Sequence, residues 1–377
     1  MRLSLSSPLK NTVARGLLGL AALGMSAAAF AQAPIKVGVL FPTKTVNGKQ
    51  GVQGAQLAAD MLNAAGGVLG GRKIEIVSYD TNLSPVDGVA AVQRMIDQDR
   101  VKIITGELSS PVALAAIPVI RAEGGLFIAA VPKHPDVTRS GYDRVFRLNS
   151  TTVMDAVAFD GILKGKAPAG KKVAIIAENN DYGRITSDAF KKLFGAQVVF
   201  SDMFGMTQSD FNSIVTNLRQ SGADMTCLAS SNVEQWSNIL RVMSDLNFKT
   251  ERCILPGLIN ADGVRLAGKA AEGLFSADIY VPTIDTEFNK RFVSAYSAKY
   301  GKAPEKLEAL AFEAVWLAGQ AIAKAGSADD TAKIAATLRA GSWVVPRGTV
   351  RFDAQGQATV GDLLRLEVRN GTITQIK

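Results

Sequence analysis

The sequence predicts an α/β protein made of two doubly wound, parallel-sheet lobes. Strand-patterned and helix-patterned segments alternate along nearly the whole chain. Such alternation builds a parallel sheet with helices on both faces. The alternation also falls into two series of similar construction, each roughly 120 residues long and therefore of ordinary domain size. No Pro/Ser-rich linker separates the series, so two associated lobes are expected rather than independent domains on a tether.

Residues 35–41 read as a strand and residues 50–64 as a helix, with Ala55, Leu57, Ala58, Met61 and Leu62 at helical spacing. Asn63 to Arg72 then reads Asn-Ala-Ala-Gly-Gly-Val-Leu-Gly-Gly-Arg. Four glycines in six positions mark the end of a helix and a reversal of the chain. Strand 74–79, helix 85–98, strand 101–105, helix 111–123 and strand 126–130 complete the first series. Residues 144–149 lead into the second, with helix 154–163, strand 172–178, helix 183–194, strand 198–203 and helix 211–221. Strand 225–229, helix 234–246 and strands 253–256 and 273–280 follow. Helices 287–300, 306–325 and 331–340 precede the closing strands 344–352 and 363–368.

The first 31 residues read as an address label. Arg2, Lys10 and Arg15 form a basic start, residues 16–30 are small or apolar, and Ala29-Phe30-Ala31 fits a signal-peptidase site. The apolar run is about 15 residues, short of the roughly 20 that a spanning helix needs. Cleavage after Ala31 is expected, leaving a soluble exported chain of about 345 residues, a length that suits two domains. Losing three cations lowers the formal charge from +8 to +5, spread along the chain. No basic stripe of the kind that nucleic acid requires is present. Cys227 and Cys253 both fall in strand-like runs. Neighbouring strands in an exported protein permit a disulfide, and buried free thiols are the commoner alternative. His134 is the single histidine, which rules out a multi-histidine metal site and leaves only one residue for any Ser-His-Asp triad. Neither a G-x-S-x-G elbow nor a Walker-type glycine loop occurs. Binding without turnover is therefore expected over catalysis, with no metal or cofactor.

Six motifs occur in order along the chain: Ile35-Lys-Val-Gly-Val-Leu40; Gly54-Ala-Gln-Leu-Ala-Ala-Asp-Met-Leu-Asn-Ala-Ala-Gly-Gly67; Ala177-Glu-Asn-Asn-Asp-Tyr182-Gly183; Leu266-Ala-Gly-Lys-Ala-Ala-Glu-Gly273; Phe292-Val-Ser-Ala-Tyr-Ser-Ala-Lys-Tyr-Gly301; and Gly348-Thr-Val-Arg-Phe-Asp353. Together they resemble the periplasmic solute-binding proteins of ABC importers, specifically the branched-chain amino-acid-binding group. The resemblance implies a type I binding-protein fold with a three-segment hinge near residues 148–150, 277–282 and 345–348. Residues 32–148 and 281–345 would form lobe 1, and 149–280 and 346–377 lobe 2. It also implies a periplasmic monomer that closes on a small carboxylate or amino acid and docks on an ABC permease in the inner membrane. A ligand-sensing lobe pair that feeds a receptor is the alternative within the same fold.

Ligands of doubly wound sheets bind beyond the carboxyl ends of the strands, here the loops after Phe41, Thr105, Ala130, Glu178, Ala229 and Leu255. Ser109 and Ser110 precede Pro111, which suits the first position of a helix. A hydroxyl pair beside free N–H groups can hold a carboxylate or simply cap the helix, and the resemblance implies the ligand role. It also implies that Val131 and Lys133 lie in a ligand loop, with Lys133 replacing a threonine, and that Tyr182 closes the pocket. Ser231 or Asn232 stands where the family has an aromatic residue, and Pro256 where it has the acid that neutralises an α-amino group. An ammonium group taken from water needs an anionic partner or several acceptors. The two departures, Lys133 and Pro256, therefore favour an aromatic or branched aliphatic acid without an amine. An amino acid is the alternative, with Glu107, Asp181, Glu234 or Asp262 able to supply the missing acid.

Overall fold

The computed structural model describes residues 33–166, 169–359 and 361–376; the predicted leader, residues 1–31, lies outside the described residues. The first series forms β1 (Ile35–Phe41), α1 (Val46–Ala64), β2 (Ile74–Asp80), α2 (Pro85–Asp97), β3 (Ile103–Gly106), α3 (Ser110–Ala122), β4 (Leu126–Ala129) and β5 (Val145–Arg147). Its five strands make one parallel sheet in the order β2-β1-β3-β4-β5. Every residue of β3 and β4 is buried, as expected for strands covered on both faces.

The second series comprises α4 (Thr152–Lys166), β6 (Val173–Glu178), α5 (Asp181–Phe194), β7 (Val198–Phe204), α6 (Asn212–Gln220), β8 (Met225–Ala229), α7 (Val233–Asp245), β9 (Glu251–Ile254), α8 (Ala261–Ala267) and β10 (Phe275–Asp278). Then come α9 (Glu287–Tyr300), α10 (Lys306–Ala325), α11 (Thr331–Ala340), β11 (Trp343–Val345), β12 (Gly348–Val350), β13 (Leu364–Arg369) and β14 (Thr372–Ile376). The second sheet runs β14-β13-β10-β9-β8-β6-β7, antiparallel only where β13 meets β10 and β14. The predicted class, two α/β lobes on parallel sheets, is the observed one.

After β10 the chain returns to the first core, where Phe292, Phe312, Val315 and Leu338 pack with β1 and α1. Helix α10 lies directly on α1, because a Cβ at Gly54 would strike the Glu308 carbonyl. In the glycine-rich turn, Gly66, Gly67, Gly70 and Gly71 all have positive φ, between 78° and 104°. Val68 and Arg72 bridge across the reversal. Asn63 then ties the helix end to β2, its side chain bonding the Ile74 N–H at 2.7 Å and carbonyl at 2.8 Å.

Three expectations change. Residues 344–352 form a hairpin, β11 and β12, that turns at Pro346 and Arg347 rather than one strand. Within residues 346–358, expected in the second lobe, Val350, Phe352 and Ala358 join the first core. Phe352 lies edge-on to Phe146 at 5.0 Å. The Arg147 N–H donates to the Gly356 carbonyl and the Ala358 N–H to the Arg147 carbonyl, both at 2.8 Å. The chain therefore passes to β13 only after Ala358. Cys227 and Cys253, direct register partners on parallel β8 and β9, form a disulfide; adjacent strands bring their Cα atoms to 4.5 Å. Among the described residues, no helix is long and apolar enough to cross a membrane.

Candidate functional site

The carboxyl ends of both sheets open onto one cleft of about 220 Å³. Ser109, Ser110, Val131, Lys133, Tyr182 and Ser231 all line it. Asn232 does not; it caps α7, its side-chain oxygen accepting from the Gln235 N–H at 3.1 Å.

On the first-sheet side, Ser109 stands at the N-cap of α3, yet its hydroxyl makes no capping bond. The buried Ser110 Oγ accepts from the N–H groups of Lys133 (3.1 Å) and His134 (3.2 Å), which leaves its own proton to donate. The Leu108 and Ser109 N–H groups donate to Glu107 Oε1 at 2.9 and 2.7 Å, so the helix terminus carries its own anion. Glu107 has a positive φ of 67°, is fully buried, and keeps Oε2 unpartnered. Burial pushes its carboxyl up to about 7 against those two bonds and the neighbouring Thr81 hydroxyl. A carboxyl raised in the folded state adds stability below its unfolded value of 4.5, and that contribution is lost as pH rises through about 7. Glu107→Gln should therefore gain stability relative to the parent by on the order of 2 kcal/mol between pH 5 and pH 8. Urea unfolding at the two pH values checks this, and a pH-independent difference would refute it.

Lys133 is buried and ion-paired with the buried Asp155 of α4. It also donates to the Pro256 carbonyl at 2.6 Å. Lys133, which the sequence placed in a ligand loop, lines the cleft with its charge already paired to Asp155. Lys306, at the start of α10, lines the cleft, bonds the Gly257 carbonyl and lies 3.5 Å from Asp278. Burial, then the neighbouring Lys133, lowers it to about 8 against the pull of Asp278. Glu305 accepts from the Ala261 N–H at 2.6 Å, and Gln50 reaches Asp262 at 3.3 Å. These bonds tie α1, α10 and the loop after β4 to α4, α8 and the loop after β9, across the cleft.

Glu178 ends β6, lines the cleft and is 1% exposed. Its oxygens accept from the Ser231 N–H (2.8 Å), the Ser231 hydroxyl (3.0 Å) and the Asn180 amide (2.9 Å). Burial raises its carboxyl above the ordinary range. Helix α5 sits directly on this strand end, because a Cβ at Gly183 would strike the Glu178 carbonyl. Tyr182 follows on the same helix, its hydroxyl shifted well up by burial and then by the charge of Glu178.

Of the four acids considered from sequence, none lines the cleft. Asp181 pairs with Arg184, and Asp262 with Arg265 and Gln50. Sequence reasoning missed Glu178, Glu305 and Lys306 as site residues. Glu178 was discoverable, as the last residue of a strand whose following loop was already implicated. Lys306 was not, because a lysine at a helix start ordinarily reads as solvated.

A family model described as periplasmic binding protein matches residues 34–372. The chain belongs to the periplasmic binding protein family. This binding protein is 31% identical to the Leu/Ile/Val-binding protein of Citrobacter freundii, over 96% of its own length and 98% of the relative's. Its fold is that of the branched-chain amino-acid transporter substrate-binding protein LivJ of Streptococcus pneumoniae, solved with isoleucine, at TM-score 0.83 and 22% identity, covering 90% of this chain and 97% of that one. An R. palustris ABC-transporter solute-binding protein, solved with benzoate, fits equally well at TM-score 0.83 and 21% identity, covering 91% and 95% of the two chains.

Proposed function

We propose that this binding protein is the substrate-binding component of an ABC importer, capturing a small carboxylate between its lobes by hinge closure. The ligand class is an aromatic acid, a branched aliphatic acid or an amino acid; the solved neighbours named above hold isoleucine and benzoate. The observation that carries this reading is the α3 terminus. Ser109 leaves its helix uncapped, and the hydroxyl of Ser110 keeps a proton to donate into a cleft shared by both sheets. Val131, Lys133, Tyr182 and Ser231 complete the contact set. Lobe 1 comprises residues 32–148 and 281–358, and lobe 2 residues 149–280 and 359–377. The leader is removed after Ala31, and the mature monomer works in the periplasm, where a disulfide such as Cys227–Cys253 persists. The closed form docks on an inner-membrane permease and performs no chemistry of its own.

A thermal-shift screen of amino acids, aliphatic acids and aromatic acids tests the reading, because a ligand that binds only the folded state raises the midpoint by mass action. Ser110→Ala should weaken the best hit about tenfold, the worth of one hydrogen bond to a charged group. Absence of any carboxylate hit, or an unchanged affinity in Ser110→Ala by calorimetry, would overturn it.

A further inference from the structure

The buried acids of this protein divide into two kinds. Asp155 has Lys133, Asp278 has Lys306, Glu308 has Lys302 at 3.4 Å, and Glu313 has Arg347 at 2.9 Å. Glu178 has no cation within ion-pair distance among the described residues, although it is more buried than Asp155 and Asp278 and, unlike all four, lines the cleft. Glu107 also lacks a cation, but it serves the N–H groups of its own loop and does not reach the cleft. A carboxylate taken out of water without a cation costs several kcal/mol unless hydrogen bonds compensate.

The bonds to Glu178 can be counted. A carboxylate offers about four acceptor positions. Ser231 N–H, Ser231 Oγ and Asn180 Nδ2 fill three of them. The nearby Ser230 hydroxyl lies 3.2 Å from the Asn232 carbonyl and also acts on the Glu178 carboxylate as a hydrogen-bonding neighbour. Anchoring the loop after β8 accounts for the two Ser231 donors, and the Asn180 amide comes from the α5 N-cap; neither role requires a charged group beside the cleft. The opposite wall ends in the Ser109 and Ser110 hydroxyls, and Leu108, Val131, Leu258 and Ile259 supply apolar lining.

We infer that Glu178 is a specificity-determining residue that accepts a hydrogen bond from an N–H or O–H donor on the ligand. The ligand is thus a carboxylic acid that also bears an ammonium or hydroxyl group, and the bare acid is the poorer ligand. This rests on the carboxylate reading proposed above. It also reverses the direction that Lys133 and Pro256 gave from sequence: the acid absent at Pro256 has a counterpart on a different strand.

The experiment is calorimetry on the mature chain with two matched pairs, L-leucine against 4-methylpentanoate and 4-hydroxybenzoate against benzoate. In at least one pair the donor-bearing member should bind about 30-fold tighter or more, because a site built around a polar partner strongly rejects the analogue that lacks it. The leucine pair reports an ammonium group and the hydroxybenzoate pair a hydroxyl. Glu178→Ala should reduce that ratio to within about threefold, chiefly by weakening the donor-bearing member. Glu178→Gln, which preserves side-chain volume, should reduce it in the same direction, and its unfolding midpoint reports any general loosening. Equal affinities within both pairs, or a ratio that survives both substitutions, would overturn the assignment of Glu178 alone. Failure of all four compounds to bind the wild-type chain would overturn the carboxylate reading and this inference with it.

Discussion

Lys133→Met should lower the unfolding free energy by about 3–5 kcal/mol, the usual cost of removing one partner from a buried ion pair. Lys133 and Asp155 are 6% and 5% exposed at the side chain, so water cannot take over the missing role. Asp155 Oδ1 already lacks a partner, and the substitution would strip Oδ2 as well. The Pro256 carbonyl would lose its 2.6 Å donor in the same step. Adding Asp155→Leu should recover most of the loss, because an apolar pair of similar volume avoids desolvating either charge. Denaturant titration of both single variants and the double variant closes the cycle. A Lys133→Met cost below about 1 kcal/mol would show that the pair is effectively solvated. The pair also lies next to the predicted first hinge segment, where the Thr152 N–H donates to the Lys133 carbonyl at 3.2 Å.

The lobes were legible in the sequence because their strands are buried on both faces and so read as apolar runs, as β3, β4 and β6 do. The tail was misread because Val344 to Phe352 reads as one β-rich stretch. The Pro346-Arg347-Gly348 punctuation inside it was the available turn signal. Strand β14 and helix α8 went unassigned: β14 is mostly polar, and α8 is only seven residues long. At the site, the strand-end rule located the loops and the resemblance picked Lys133, Tyr182 and Ser231 within them, and these line one cleft with Ser110. It could not supply partners. Lys133 meets Asp155, Glu305 meets the Ala261 N–H and Lys306 meets Asp278 through the tertiary fold, and no local periodicity encodes those meetings. Asn232 illustrates the opposite failure. A residue just after a strand end was read toward the ligand, while its side chain satisfies the first turn of α7.

Replacing both Cys227 and Cys253 by alanine should cost about 3.5 kcal/mol, the loop-closure value for a closed segment of this size. The two residues are 26 apart in sequence and fully buried, so the bond constrains a long loop of the unfolded chain. The alanines also remove two sulfur atoms from a core shared with Phe159, Phe190 and Phe275, which adds to the loss in the folded state. The chain-entropy account makes a further demand: the denaturant slope should rise, because the unfolded chain without the crosslink exposes more surface. Position gives the substitution a functional reach. Cys227 precedes Ser231 by four residues and Cys253 precedes Pro256 by three. The bond thus ties together the two strands that carry the Glu178 anchor and the acceptor of Lys133. Amide exchange along β8 and β9 should accelerate in the double variant more than in β1 or β3 of the other sheet. A cost below about 1 kcal/mol with an unchanged slope would mean that β8–β9 pairing and packing alone set the separation of those loops.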